Sequence, residues 1–154
     1  MDFTRRDAHI LRWINGHGFV TVRQAATWLD ISYQNTHRRL KLLKDAGYLS
    51  TDRVDRSRYV FRVTRSGIVA GGDDLPPLKT IRFGSFYHDL RLVDLATKLA
   101  CKTGGDFITE RRLRQERSMD GIGIHGHVPD GLLKLNGQKP IAIELELSTN
   151  RLRK

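Results

Sequence analysis

The chain of 154 residues has a single cysteine, Cys101. That excludes an internal disulfide and fits a reducing compartment. Cys101 follows Leu95, Leu99 and Ala100 in a stretch of helical pattern, so the thiol is expected to pack into a core. No apolar run reaches the roughly 18 residues that a membrane-crossing helix needs. The opening Met-Asp-Phe-Thr-Arg-Arg lacks the apolar stretch of a secretion signal. A basic amphipathic helix with an aromatic face is also missing. The expectation is a cytoplasmic protein with no membrane partner. Neither a phosphate-cradling loop nor a dinucleotide fingerprint occurs. Gly121-Ile-Gly123 is too short to serve as one.

Acidic charge is the scarce sign. There are 27 Lys+Arg against 17 Asp+Glu, a net of +10 and a pI of about 10.3. A surplus of this size favours a polyanionic partner. It is uneven: residues 1–70 carry a net of +7 and residues 71–154 a net of +3. The length allows one domain or two small ones, each with a thin core, leaning on each other.

Residues 4–66 read as one unit of three helices and a basic hairpin. Thr4 caps a first helix to about Asn15, with Ile10, Leu11 and Ile14 on its apolar face and Trp13 beside them. Gly16-His-Gly18 ends it. Thr21 caps a second helix, Val22 to Leu29, packing through Ala25, Ala26 and Leu29. Ser32 caps a third. Thr36, Leu40 and Leu43 recur there at helical spacing and face a core, and Gly47 supplies a left-handed stop. Gln34, Asn35, Arg38, Arg39 and Lys41 are left facing outward. Their amides and guanidiniums suit base edges and phosphates. Tyr48–Asp52 and Tyr59–Val63 read as paired strands. The tip between them, Arg53-Val-Asp-Arg-Ser-Arg58, carries three arginines. Thr64-Arg-Ser-Gly67 either opens another helix or ends the unit.

This layout resembles the winged helix-turn-helix families of bacterial DNA-binding proteins. The resemblance implies that the third helix enters the major groove of duplex DNA while the wing touches backbone or minor groove. Carried over, Ser32 starts the reading helix and Gln34, Asn35 and Arg38 read bases. Arg39, Lys41, Arg53, Arg56 and Arg58 hold phosphates. No cofactor is needed for that binding. A homodimer is expected on the ground that one winged helix reads only a short half-site.

Ala70-Gly-Gly-Asp-Asp-Leu-Pro-Pro77 breaks regular structure and divides the chain into units at 1–70 and 78–154. In the second unit Phe86–Lys102 has a helical pattern, with Leu92, Val93, Ala96, Leu99 and Ala100 as its buried face. Phe107–Glu110 is β-like. Met119–Gly126 is glycine-rich and shows no clear pattern. Gly131–Leu135 and Ile141–Leu147 read as strands joined at Asn136-Gly137, a hairpin dipeptide. Ser148–Lys154 begins a helix that the chain end cuts short, which suggests a longer C-terminus. The fold class expected is α+β.

Alternation along the last strand puts Glu144 and Glu146 on one face, and hairpin pairing brings Asp130 toward them. Converging carboxylates repel unless paired, protonated or metal-bound. Asp130 and Glu144 are therefore candidate ligands of Mg²⁺ or Mn²⁺, which could activate water against a phosphodiester. The alternative is a solvated sheet face, with Asp130 a turn residue. His125 and His127 have strand spacing for a metal but lack a third clear partner. His88-Asp89 can orient a base or simply sit at a helix N-terminus.

Pro129-Asp130 followed by Glu144 resembles the PD-(D/E)XK nuclease motif. Glu146 stands where that motif has its lysine, as an acid does in some members. Lys134 and Lys139 lie nearby in sequence. The order of parts is also similar to the replication-relaxation family of mobile genetic elements. The matching runs are the helices to Leu49, His88-Asp-Leu-Arg-Leu-Val93, Pro129-Asp130 and Ile143-Glu-Leu-Glu-Leu-Ser148. That resemblance implies an accessory or regulatory role in the DNA processing, transfer or copy control of a plasmid, phage or integrated element. Replication or DNA-processing proteins would then be partners. Three functions are open: a DNA-binding factor whose nuclease-like half is silent; a Mg²⁺-dependent endonuclease using Asp130, Glu144 and Glu146; and a winged helix that binds protein.

Overall fold

A computed structural model describes residues 1–121 and 126–147. Its first half begins with α1 (Arg5–His17), whose N-terminus is closed by a reciprocal capping box between Thr4 and Asp7. The second helix, α2 (Val22–Leu29), has the same device, between Thr21 and Gln24. Ser32 caps α3 (Tyr33–Asp45) by accepting from the Asn35 N–H. Gly47 follows α3 with φ +82°, a conformation that carries no steric cost only for glycine. The strands β1 (Leu49–Arg53) and β2 (Tyr59–Val63) pair antiparallel from Leu49↔Val63 to Arg53↔Tyr59. Val20 adds one bridge on the far side of β2, exchanging both backbone hydrogen bonds with Phe61.

Thr64 opens a further helix, α4 (Arg65–Gly71), rather than ending the unit. Gly67 lets α4 close on the β1 entry: a Cβ there would lie 2.2 Å from the Tyr48 carbonyl oxygen. Ile10, Leu11, Ile14, Ala25, Leu40, Leu43 and Val63 form one buried core between these elements. The apolar stripes of α1 and α3 are therefore where periodicity placed them. On α2 only part of the expected face is buried. Ala25 is fully enclosed, Ala26 and Leu29 are half-buried, and Gln24 takes an interior place.

The second half contains α5 (Phe86–Thr103), β3 (Asp106–Thr109), α6 (Glu110–Met119), β4 (Gly131–Lys134) and β5 (Ile141–Ile143). The strands form an antiparallel sheet in the order β3-β4-β5. The hairpin turns at Asn136-Gly137, with Gly137 at φ +72°. Sequence pattern does not anticipate α6. Its residues are Glu-Arg-Arg-Leu-Arg-Gln-Glu-Arg-Ser-Met, and only Leu113 is buried, so no apolar period marks it. On α5 the buried residues are Phe86, Val93, Ala96 and Thr97, while Leu92, Leu99 and Ala100 are half-buried. Cys101 corrects an expectation: it is exposed near the end of α5, one turn beyond buried Thr97, with its Sγ 3.9 Å from the Thr27 carbonyl.

Both halves contribute to shared cores. Val93 belongs to the first core, and Phe86 stacks on Phe19 at 5.2 Å beside Val60. Polar contacts close the seam. The Gln24 amide donates to the Leu90 carbonyl and the Asp94 carboxylate, both at 2.9 Å. Thr109 Oγ1 donates to the Gly16 carbonyl at 2.8 Å. The stretch after Gly72 has no regular structure, yet it is tied down. Asp73 accepts both arms of Arg112 at 2.7 and 2.8 Å and the Asn15 amide at 2.9 Å, and Leu75 is buried. Burial raises the Asp73 pKa, but the Arg112 and Asn15 hydrogen bonds outweigh it and hold the carboxyl below its usual range. His17, beside Trp13 and Phe107, is pushed down by burial to about 4. The expected helix at Ser148–Lys154 and the candidate ligand His125 lie outside the described residues.

Candidate nucleic-acid interface

Burial of Thr36, Leu40 and Leu43 turns the opposite side of α3 outward. At 3.6 residues per turn that side carries Gln34, Arg38 and Lys41. All three are exposed, as are Ser32 and Asn35. The Ser32 hydroxyl is occupied as the helix cap. Lys41 Nζ donates to Asp45 at 2.7 Å across an exposed i,i+4 pair, which costs it little freedom. A shallow concavity lined by Arg6, Ile31, Asn35, Arg38, Arg39 and Leu42 flanks this face on the α1 side.

Arg39 departs from the expected arrangement. It turns from the outward face to α1, where Nε donates to Asp7 at 2.6 Å and Nη2 reaches both Asp7 and the Asp2 carbonyl. The Asp7 side chain is almost fully buried. Burial pushes its pKa up, but the Arg39 and Thr4 hydrogen bonds bring it below the normal carboxylate range. The same bond raises the Arg39 pKa. Arg39 therefore neutralises a buried charge, and its half-buried guanidinium is committed to α1. Helical spacing alone does not reveal this, because Arg39 sits at the margin between the two faces of α3.

Periodicity also passes over the other flank of α3. Tyr33, His37 and Lys44 line a groove of about 690 Å³ between α3 and the wing, together with Lys41, Arg23 and the wing residues Arg58 and Tyr59. Tyr33 and Tyr59 are each about half exposed, and the Tyr33 and His37 rings lie nearly parallel. The signal was available in the sequence as i, i+4 and i+11 on one helix. The groove becomes visible only when the wing is folded beside it.

The three wing arginines have different surroundings. Arg53 donates to the Asp55 and Arg56 carbonyls at 3.1 and 2.7 Å and lies over the Tyr59 ring at 5.8 Å. It braces the tip. Arg58 is 3.7 Å from Asp55, whose carboxyl is lowered first by the Ser57 backbone N–H. Arg56 is exposed and makes no ion pair among the described residues. Of the three it is the one most open to a phosphate.

The carboxylates of the second half are gathered differently from expectation. The strand β5 ends at Ile143, so Glu144 and Glu146 are not set on one face by strand alternation. Glu144 contacts exposed His127 at 2.5 Å, and Glu146 is exposed. Asp130 does reach the final segment: its Oδ2 accepts from the Leu145 N–H at 2.7 Å. His88 Nε2 lies 3.4 Å from Asp130 and 3.0 Å from the Leu145 carbonyl, while Nδ1 faces Asp89 at 3.2 Å. Burial works against protonation of His88, but the Asp89 and Leu145 hydrogen bonds and the Asp130 charge outweigh it and raise its pKa. Among the described residues no group of three His, Cys, Asp or Glu side chains converges as a metal site. The expected Asp130–Glu144–Glu146 triad is therefore not assembled. His88, Asp89 and Asp130 instead line a cavity of about 670 Å³ between the halves, whose other wall includes Arg82, Arg111 and Arg114.

No described helix is long and apolar enough to cross a membrane. Neither curated proteins nor solved structures include a match to this chain. Residues 1–57, which span α1 to the tip of the wing, match the family model of the MarR family, and the chain's N-terminal domain is a winged helix-turn-helix.

Proposed function

We propose that the protein is a DNA-binding regulatory or accessory factor that reads duplex DNA through α3 and anchors it with the wing. The observation that carries this reading is the exposed Gln34–Arg38–Lys41 line on a capped helix, with Arg56 at the tip of an adjacent hairpin. Amides and guanidiniums on a helix of groove width can contact base edges, while a solvated wing arginine contacts phosphate without sequence preference. Tyr33, His37 and Lys44 add a basic, hydroxyl-bearing wall for the backbone strand that runs between helix and wing. Dimerisation would pair two such half-sites.

The test is binding of labelled duplexes over a salt series. With about five phosphates contacted, log K should fall with log salt at a slope near −4 to −5. A flat response would leave the winged helix as a protein-binding module. Arg38→Ala should reduce discrimination between target and random duplex by about 1–3 kcal/mol, while Arg56→Ala should weaken every duplex alike. Equal losses of specific and non-specific binding in both variants would contradict that division.

The finer reading is an accessory protein of a mobile genetic element whose nuclease-like half is silent. It rests on the resemblance of the short runs around His88, Asp130 and Glu144. A second reading, Mg²⁺- or Mn²⁺-dependent cleavage of DNA, rests on the resemblance of Pro129-Asp130 and Glu144 to the nuclease motif. Cleavage that needs Mg²⁺ and is lost in Asp130→Ala would support it. Cleavage that survives in that variant would place the chemistry elsewhere.

A further inference from the structure

The outer face of α5 is unusual for a helix packed on a small domain. Its inner residues, Phe86, Val93 and Ala96, are buried. Helical spacing sets Tyr87, Arg91 and Lys98 together on the opposite side. All three are exposed, Tyr87 at 63%, and Phe83 just before the helix is exposed at 72%. Neither Arg91 nor Lys98 makes an ion pair among the described residues. The one acid on this face, Asp94, already accepts from the Gln24 amide.

The position of this face matters as much as its composition. Leu90 and Asp94 of α5 form one wall of the groove whose other walls are α3 and the wing residues Arg58 and Tyr59. Phe86 is anchored against Phe19 and Val60, so α5 is held beside the wing by a packed core. The Arg62 guanidinium of β2 fixes the approach to α5 by donating to the Leu78 and Lys79 carbonyls at 2.7 and 3.1 Å. Tyr87 and Arg91 stand three residues before Leu90 and Asp94 on α5, one helical turn from that wall of the groove.

We propose that Phe83, Tyr87, Arg91 and Lys98 form a track for single-stranded DNA that continues the duplex interface, so that the protein prefers a duplex with an unpaired tail to a continuous one. Exposed aromatic rings followed by unpaired cations are what an unpaired strand requires: bases stack on the rings and phosphates meet the cations. A duplex keeps its bases stacked inside and has no use for the rings. The proposal rests on the duplex reading above and extends it to a class of DNA structure.

The experiment is fluorescence anisotropy with the full chain, a blunt duplex, and the same duplex carrying a tail of about ten deoxythymidines on either strand. One tail polarity should tighten binding about tenfold, the effect of one or two stacked bases. The double variant Phe83→Ala/Tyr87→Ala should lose that advantage and bind blunt duplex as the wild type does. Tyr87→Trp should keep it, with tryptophan fluorescence quenched by the tailed duplex alone. Equal binding of tailed and blunt duplex by the wild type would overturn the proposal and leave duplex binding intact. A tail preference that survives the double variant would overturn the assignment to this face. If sedimentation shows that the double variant converts a dimer to a monomer with the tail preference unchanged, the face joins copies of the chain and the proposal fails. Absence of binding to either DNA at low salt would remove the duplex reading and this one together.

Discussion

Arg38 and Arg39 are neighbours on α3 with opposite surroundings. Arg38 is exposed on the outward line, while Arg39 closes on Asp7, whose side chain is nearly sealed from solvent. Removing one partner of a buried pair leaves the other charge without compensation. Arg39→Ala should therefore cost about 2 kcal/mol, less than a fully buried pair because Thr4 still caps Asp7. Arg38→Ala should leave stability within about 0.5 kcal/mol. Urea unfolding of both variants checks this; equal midpoints would contradict the assigned roles. Cys101 makes the same point about neighbouring positions. Its apolar sequence neighbours predicted a packed thiol, but it lies one turn past Thr97, the last buried residue of α5, and is exposed.

Elements with an apolar period were legible, and those without one were not. In α1 and α3 the cap, the core stripe and the stop agree, so local preference and tertiary packing have no conflict to resolve. In α6 nearly every residue is polar, and the helix exists because Thr109 caps it and Leu113 and Arg112 find partners elsewhere in the fold. The strand β5 is shorter than its β-rich sequence suggested because pairing with β4 stops at Gly131↔Ile143. Beyond that residue the chain is held by Asp130 and His88 through Leu145 instead of by a ladder. Gly67 governs how α4 meets the wing. Gly67→Ala would set a Cβ against the Tyr48 carbonyl, which is backbone and cannot yield like a flexible side chain. It should destabilise by about 1–3 kcal/mol, and more if β1 shifts. Thermal melting that shows no loss would mean that α4 can move away from β1 freely.

At the scale of the molecule, a stretch rich in glycine, acid and proline behaves as a seam. Asp73 lies within the sequence that divides the halves, yet it joins α1 to α6 through Asn15 and Arg112. Asp73→Ala would leave Arg112 without its main partner and the Asn15 amide with only the Leu75 carbonyl. A loss of about 3 kcal/mol is expected, with one unfolding transition for both halves because they share Val93 and Phe86 as core residues. Two separated transitions in the wild type would contradict the shared core. The pH dependence has a defined sign. Asp7 and Asp73 both have lowered folded pKa values. Their stabilisation is present above the unfolded carboxyl range and is lost as pH falls through the folded values. Acid unfolding of Asp73→Ala should accordingly be shallower than that of the wild type.

Charge, caps and apolar spacing are local properties, and they were enough to define the winged helix and to set Gln34, Arg38 and Lys41 on the outward side of α3. They are read along one element at a time, and the helix period converts them directly into faces. The direction of Arg39, the groove beside Tyr33 and His37, the pairing of Glu144 with His127 and the placement of Phe86 against Val60 of the wing were decided by tertiary structure. Each depends on which distant element arrives at a given face. No spacing within a single segment encodes that, because the energy lies in contacts between residues far apart in the chain.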